Sequence, residues 1–263
     1  GGGIYNFGGL LTVTSSTFDN NNAQRGGAIY SDNTTNVSDT TFSNNSATFG
    51  GAIYGYSTAT LSITSDTFTS NSATNLGGAI DSEGPLLLSR STFDSNDATF
   101  NGGAIYHTGS GGSYVELSDF TNNSAANGGA INHETGDLFI SSSSFSGNTA
   151  TQGAAIQNLS GGSLTISQTI LSSNAATNLG GAVYSGGITS INNSTLSANS
   201  AAFGGAIYAS SATLNLTYVT IALNESPNSG GIENDAATVS LAGVIFDNGT
   251  SGDNCVGTLI DNG

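Results

Sequence analysis

The sequence predicts an all-β fold, a right-handed, single-stranded parallel β-helix of about ten coils, each of roughly 25 residues and three short strands. Three columns of residues lead there. The apolar residue that closes a GGAI-like motif returns at Ile4, Ile29, Ile53, Ile80, Ile105, Ile131, Ile156, Val183, Ile207 and Ile232, in steps of 24 to 27. A second column runs Phe18, Phe42, Phe68, Phe93, Phe120, Phe145, Leu171, Leu196, Ile221 and Phe246. A third apolar residue stands five positions before each of these, from Val13 and Val37 through Ile140 to Leu241.

Each column marks one strand. The middle one alternates, as in LSIT at Leu61–Thr64 and LTIS at Leu164–Ser167, a period of 2 rather than 3.6. No segment carries a continuous apolar helical face. One repeat is too small to bury its apolar side alone, so it must stack on its neighbours, at about 4.8 Å per coil, placing like residue on like. Parallel crossovers are right-handed in nearly all sheets, which sets the predicted hand. Three residues after the Phe column stands an Asn, at Asn21, Asn45, Asn71, Asn96, Asn123, Asn148, Asn174, Asn199 and Asn224. Asn tolerates left-handed backbone, and its amide both donates and accepts, so the column reads as a structural ladder at a turn. The Gly-Gly pair reads as the opposite corner, needing positive φ or close backbone approach.

With 18 acidic residues against Arg25 and Arg90, and no Lys, the net charge is −16. Such a surface repels phosphate backbones and anionic lipid headgroups, which excludes nucleic-acid binding and gives no basis for membrane association. No apolar run approaches the roughly 20 residues that span a bilayer. The chain begins GGGIYN, without Met or a signal peptide, and reads as a fragment or processed product. Residues 1–250 form the repeat domain, and 251–263 the start of a C-terminal cap or linker.

The next position after the Ile column is aromatic at Tyr5, Tyr30, Tyr54, Tyr106, Tyr184 and Tyr208. Alternation turns these outward, so Tyr30 with Tyr54, and Tyr184 with Tyr208, are candidate ligand-binding pairs. His107 and His133 share a column on adjacent coils, with Glu134 beside one, but a structural zinc site uses four ligands and no fourth is evident, so no metal site is assigned. Calcium has scattered candidate ligands in Asp94, Asp97, Glu134 and Asp137 without a calcium-binding repeat, so no cofactor is assigned. Arg90 is placed to pair with Asp94 on the surface. The paired acids of pectin-cleaving β-helices are missing, and no catalytic residue is assigned. A Thr/Ser ladder flanks the Phe column as in ice-binding solenoids, but Asp19, Asp94, Asp119, Ile170 and Ile245 break it.

GGA-[Ile/Leu/Val] paired with FxxN resembles the polymorphic outer-membrane protein repeats of chlamydial autotransporters and related anchored bacterial surface proteins. The resemblance runs over nearly the whole chain. It implies a secreted, extracellular, surface-displayed passenger β-helix, non-catalytic and often adhesive. It also implies that Cys255, the single cysteine, pairs with one further along such proteins. Two readings of function follow. In one, the chain is an adhesin-like passenger or stalk whose partner is a protein or glycan of a host or neighbouring cell. In the other, the strand edge of the first coil pairs with a further copy end to end, giving a structural filament. A polysaccharide-acting enzyme and an ice-binding protein rank below both.

Overall fold

The structure, a computed structural model, describes residues 1–247 and 253–261, and these form a parallel β-solenoid of about ten turns with no helix. The second coil shows the plan. An Ile strand (Ile29–Ser31) leads to a middle strand (Thr35–Ser38), a Phe strand (Thr41–Ser43) and a fourth, short strand (Ser46–Phe49). Every named strand pairing is parallel and joins like to like, as in Ile29↔Ile53, Val37↔Ile63 and Phe42↔Phe68. The Ile and middle strands form one 20-stranded sheet, because they fuse into single strands at Ile131–Ser141 and Ile156–Ser167. The Phe strands form a separate ten-stranded ladder.

The fourth strand is an addition to the three expected. It is carried by small residues: Ala47, Ala73 and Ala98 face inward, with polar neighbours alternating outward. A methyl group fills that narrow corner, so no bulky residue announces the strand. The core is the three predicted columns, with Phe rings stacked from Phe18 to Phe145 at centroid spacings of 4.6–5.1 Å and nearly parallel planes. The segment after residue 250 contributes Asp253–Val256 and Ile260–Asp261 to the same sheet, and Cys255 takes its place opposite Ile232 in the Ile column. Burial pushes the Cys255 thiol up to about 11, which leaves it protonated and unreactive at neutral pH.

Two polar ladders line the corners. From Asn21 to Asn199, each Asn of the FxxN column donates its Nδ2–H and its backbone N–H to Oδ1 of the Asn in the next coil, at 2.9–3.1 Å. The second Nδ2 hydrogen goes back to the carbonyl of the Phe-column residue one coil earlier, as from Asn123 to Phe93. Asn45 to Asn224 are completely buried in this chain of bonds. The Asn residues are not left-handed, contrary to the expectation. The residue before each carries the positive φ, as at Asn20, Asn44 and Asn122, because the Asn itself must enter the core as an extended residue to reach its neighbour. A second ladder stands two residues before the Phe column, through Ser16, Thr40, Asp66, Ser91, Ser118, Ser143, Thr169 and Ser194. Each side-chain oxygen accepts the backbone N–H of its counterpart one coil earlier, and each hydroxyl donates to the carbonyl two residues back, as from Ser91 to Ser89. Asp66 has no such proton when ionised and accepts from Thr40 and Thr64 N–H instead. Burial, only partly offset by these bonds, pushes its carboxyl up to about 6.

At the Gly-Gly corner the two glycines serve different ends. Gly102 has φ +67°, and a Cβ there would lie 2.2 Å from the Ile105 carbonyl. Gly103 has ordinary φ, but a Cβ would lie 2.1 Å from the carbonyl of Gly129 in the next coil. Corners elsewhere hold non-glycine residues at positive φ, including Leu117 at 51°, which is half exposed. A left-handed Leu costs about 1–2 kcal/mol. Leu117→Asn is therefore expected to raise stability by about 0.5–1 kcal/mol. An unchanged or lowered denaturation midpoint would show that the Leu117 side chain returns its backbone strain through packing.

Candidate functional site

The tyrosine column lies on the outer side of the Ile strands, as alternation requires, but its members are not equally open. Tyr5, Tyr30 and Tyr54 form a continuous stack, with centroids 4.6 and 5.4 Å apart, and Tyr184 stacks on Tyr208 at 5.7 Å. Tyr5 is 61% exposed, whereas Tyr54 is only 1% exposed. Tyr54 is thus a correction to the outward reading. The Arg25 guanidinium lies 5.1 Å from its ring centroid and 5.7 Å from that of Phe49, and the hydroxyl donates to Glu83. Burial and Glu83 hold the Tyr54 phenol well above its ordinary range. Tyr30, Tyr184 and Tyr208 remain half-buried at the surface. The Tyr208 hydroxyl donates to Asp235 at 2.9 Å, and desolvation together with that carboxylate pushes the phenol up to about 12.

Asp81 interrupts the tyrosine column between Tyr54 and Tyr106. Its side chain is 2% exposed, and Oδ1 has no hydrogen-bond partner among the described residues. Burial, with Glu83 nearby, raises its carboxyl well above the ordinary range. Burial, with the Glu134 carboxylate nearby, likewise holds the Tyr106 phenol well above its ordinary range. In the sequence Asp81 is one of four breaks in the Tyr column, with Asn132, Gln157 and Glu233, and only the fold shows its burial.

His107 and His133 both lie in strands. As third residues of their Ile strands they point inward, are fully buried, and stack at 5.1 Å. Their Nδ1 atoms lie 3.0 Å apart, His133 Nε2 lies 3.1 Å from the Gly136 carbonyl, and His107 Nε2 lies 2.8 Å from Ser113 Oγ. A carbonyl only accepts, so His133 carries its proton on Nε2 and accepts at Nδ1. His107 then donates from Nδ1, and its Nε2 accepts the Ser113 hydroxyl proton. Ser113 Oγ in turn accepts from Leu86 N–H. In this chain of bonds both rings are neutral, His107 carrying its proton on Nδ1 and His133 on Nε2. Burial, reinforced by the neighbouring imidazole, pushes His107 down to about 3, and burial lowers His133. Among the described residues no three His, Cys, Asp or Glu side chains gather as a metal site. Nor does Arg90 pair with Asp94, whose Oδ1 accepts instead from Thr121 and Asn122.

The sign of the pH effect follows. Both folded histidines titrate below an unfolded value near 6.5, so the unfolded chain binds more protons and stability falls as pH drops below about 6.5. Asp66 and Asp81 act oppositely, since their raised carboxyls favour the folded state as they protonate. The histidine share is isolated against His107→Asn/His133→Asn, because Asn158 already occupies the next place in that column. The stability of the wild type relative to this variant is expected to fall as pH drops below about 6.5, by about 1.4 kcal/mol per pH unit from His107 with a further loss of the same sign from His133, and to stay level from pH 7 to 8. Parallel stability curves from pH 7 to 4 would refute the neutral pair.

The repeats match the family model described as the Chlamydia polymorphic membrane protein repeat four times, at residues 15–32, 39–56, 67–83 and 118–134. Each match spans a Phe strand, the Asn ladder and the Gly-Gly corner with its Ile strand. Comparison with curated proteins and with solved structures gave no match.

Proposed function

We propose that this chain, four of whose coils are Chlamydia polymorphic membrane protein repeats, is the non-catalytic shaft of a surface-displayed, passenger-like protein that adheres through side chains on its outer face. The observation that carries this reading is the fourfold match to a surface-protein repeat, on a rod whose buried Asn ladder bonds coil to coil. A scaffold of this kind holds outer columns at fixed spacing without needing any of them for folding, which leaves them free for recognition.

Of the four tyrosines singled out, Tyr184 and Tyr208 are the pair both stacked and accessible, and Tyr208 borders a cavity of about 260 Å³ lined also by Phe203, Glu233 and Asp235. The partner is a protein or glycan of a host or neighbouring cell. Tyr184→Ala/Tyr208→Ala is expected to weaken binding of the purified chain to cells at least about tenfold while leaving its circular dichroism unchanged. Undiminished cell binding by a folded double variant would rule these tyrosines out as the adhesive contact.

A further inference from the structure

The outward residues of the middle strands form two neighbouring columns. The first runs Thr12, Asn36, Ser62, Leu87, Tyr114, Phe139, Thr165, Ser190, Asn215 and Ser240, in register from coil to coil. It is polar everywhere except in three consecutive coils, where Leu87, Tyr114 and Phe139 are 40%, 43% and 37% exposed. The second column, two residues on, is uncharged from Thr14 to Ala242 except at Glu116. Glu116, the one charge in these two columns, therefore falls two residues from the one tyrosine in them, and both line the same shallow cavity of about 290 Å³.

The geometry of that cavity follows from the stack. Tyr114 lies on Phe139 with centroids 5.1 Å apart and planes 17° from parallel, so one face of Tyr114 is taken. On its other side the column continues through Leu87 and Ser62, neither of which carries a ring to extend the stack. The cavity opens there, bordered by Thr64, Ser89 and the Glu116 carboxylate. A cross-strand aromatic pair can stabilise a sheet by a fraction of a kcal/mol. That account covers the Tyr114–Phe139 contact but not the exposed Leu87, the cavity that it and Tyr114 line, or the Glu116 carboxylate at its rim.

We infer that this cavity is a binding site for a neutral saccharide, one sugar ring packing its C–H face on Tyr114 while its hydroxyls donate to Glu116 and bond to Thr64 and Ser89. The electron-rich face of a phenol ring attracts the weakly positive C–H groups of a sugar, and a carboxylate is a strong acceptor for hydroxyl protons. A carboxylate at the rim of a chain of net charge −16 turns acidic sugars away. The size fits as well: small-molecule pockets begin near 300 Å³, whereas a stable protein partner needs about 800 Å² of surface, more than three side chains offer. The flat sheet beneath keeps the ring and the carboxylate in fixed relation, so little order is lost on binding. The inference deepens the adhesive reading, on which it rests for the place where such a saccharide is met.

The test is binding of the full chain to an array of neutral and acidic oligosaccharides, followed by calorimetry with the best neutral one. Neutral saccharides are expected to bind, Tyr114→Ala to weaken binding at least about tenfold, Glu116→Gln to weaken it less, and Tyr114→Phe to retain it. Tyr114 and Glu116 are exposed, so these variants keep the wild-type fold, and an unchanged denaturation midpoint confirms it for each. Binding of acidic sugars alone, of no sugar, or of a neutral sugar indifferent to Tyr114→Ala would overturn the site. Cell binding that survives Tyr114→Ala but is lost in Tyr184→Ala/Tyr208→Ala would overturn it too, while leaving the adhesive reading intact.

Discussion

Asn123→Ala is expected to destabilise the protein by about 3–5 kcal/mol, as much as removing one aromatic ring from the core. Asn123 accepts through Oδ1 from both the backbone N–H and the Nδ2–H of Asn96, and donates through Nδ2 to Asn148 Oδ1 and the Phe93 carbonyl. All of these groups are sealed from water. Alanine leaves the Asn96 N–H without its acceptor and the Phe93 carbonyl without this donor, and a buried polar group stripped of its partner costs about 1–3 kcal/mol. The position matters as much as the residue. Asn21 begins the ladder and is half-buried, so water replaces part of what Asn21→Ala removes, and its cost should be well under half as large. Chemical denaturation of the two variants side by side checks both claims. A loss below about 1 kcal/mol for Asn123→Ala would mean that the ladder is geometrically regular but energetically idle.

Phe93→Ala is expected to cost about 3–5 kcal/mol, and Phe93→Leu less than about 1.5 kcal/mol. Phe93 is completely buried between Phe68 and Phe120, at centroid distances of 4.6 and 4.8 Å. Removing the ring opens a cavity that the coils above and below cannot fill, because the backbone ladders on both sides fix their separation. Leucine is already used in the same column at Leu171 and Leu196, both fully buried, so the strand geometry accommodates it. Thermal or denaturant unfolding that ranked the leucine variant with the alanine variant would show that ring stacking, rather than filled volume, holds this column.

The solenoid was legible because parallel, in-register stacking turns a spacing in sequence into a neighbour in space. Once Ile29 sits beside Ile53, and Phe42 beside Phe68, the whole register follows, insertions of one to three residues being absorbed at the corners. Residues whose role depends only on their own column could therefore be read directly, as with the Asn ladder. The fourth strand was not legible, because Ala23, Ala47 and Ala73 carry no apolar bulk to mark it. The Ser/Thr ladder through Ser91 and Ser118 was not recognised either, since hydroxyl residues are common everywhere in this chain and only the bond to the next coil's N–H sets these apart.

Period, register and core composition thus belong to the sequence, since each is a property of one column repeated along one axis. Exposure belonged to the tertiary structure, because it depends on what a neighbouring column places across a corner. Arg25, from before the Gly-Gly pair, covers Tyr54, whereas Tyr30 in the adjacent coil stays half-buried at the surface, though both tyrosines share one column and one alternation. The same holds for His107 and His133, whose shared column was plain in the sequence. Their burial and neutral charge were settled by the Ser113 hydroxyl and the Gly136 carbonyl, which the fold brings to them from a separate strand and from a bend in the chain.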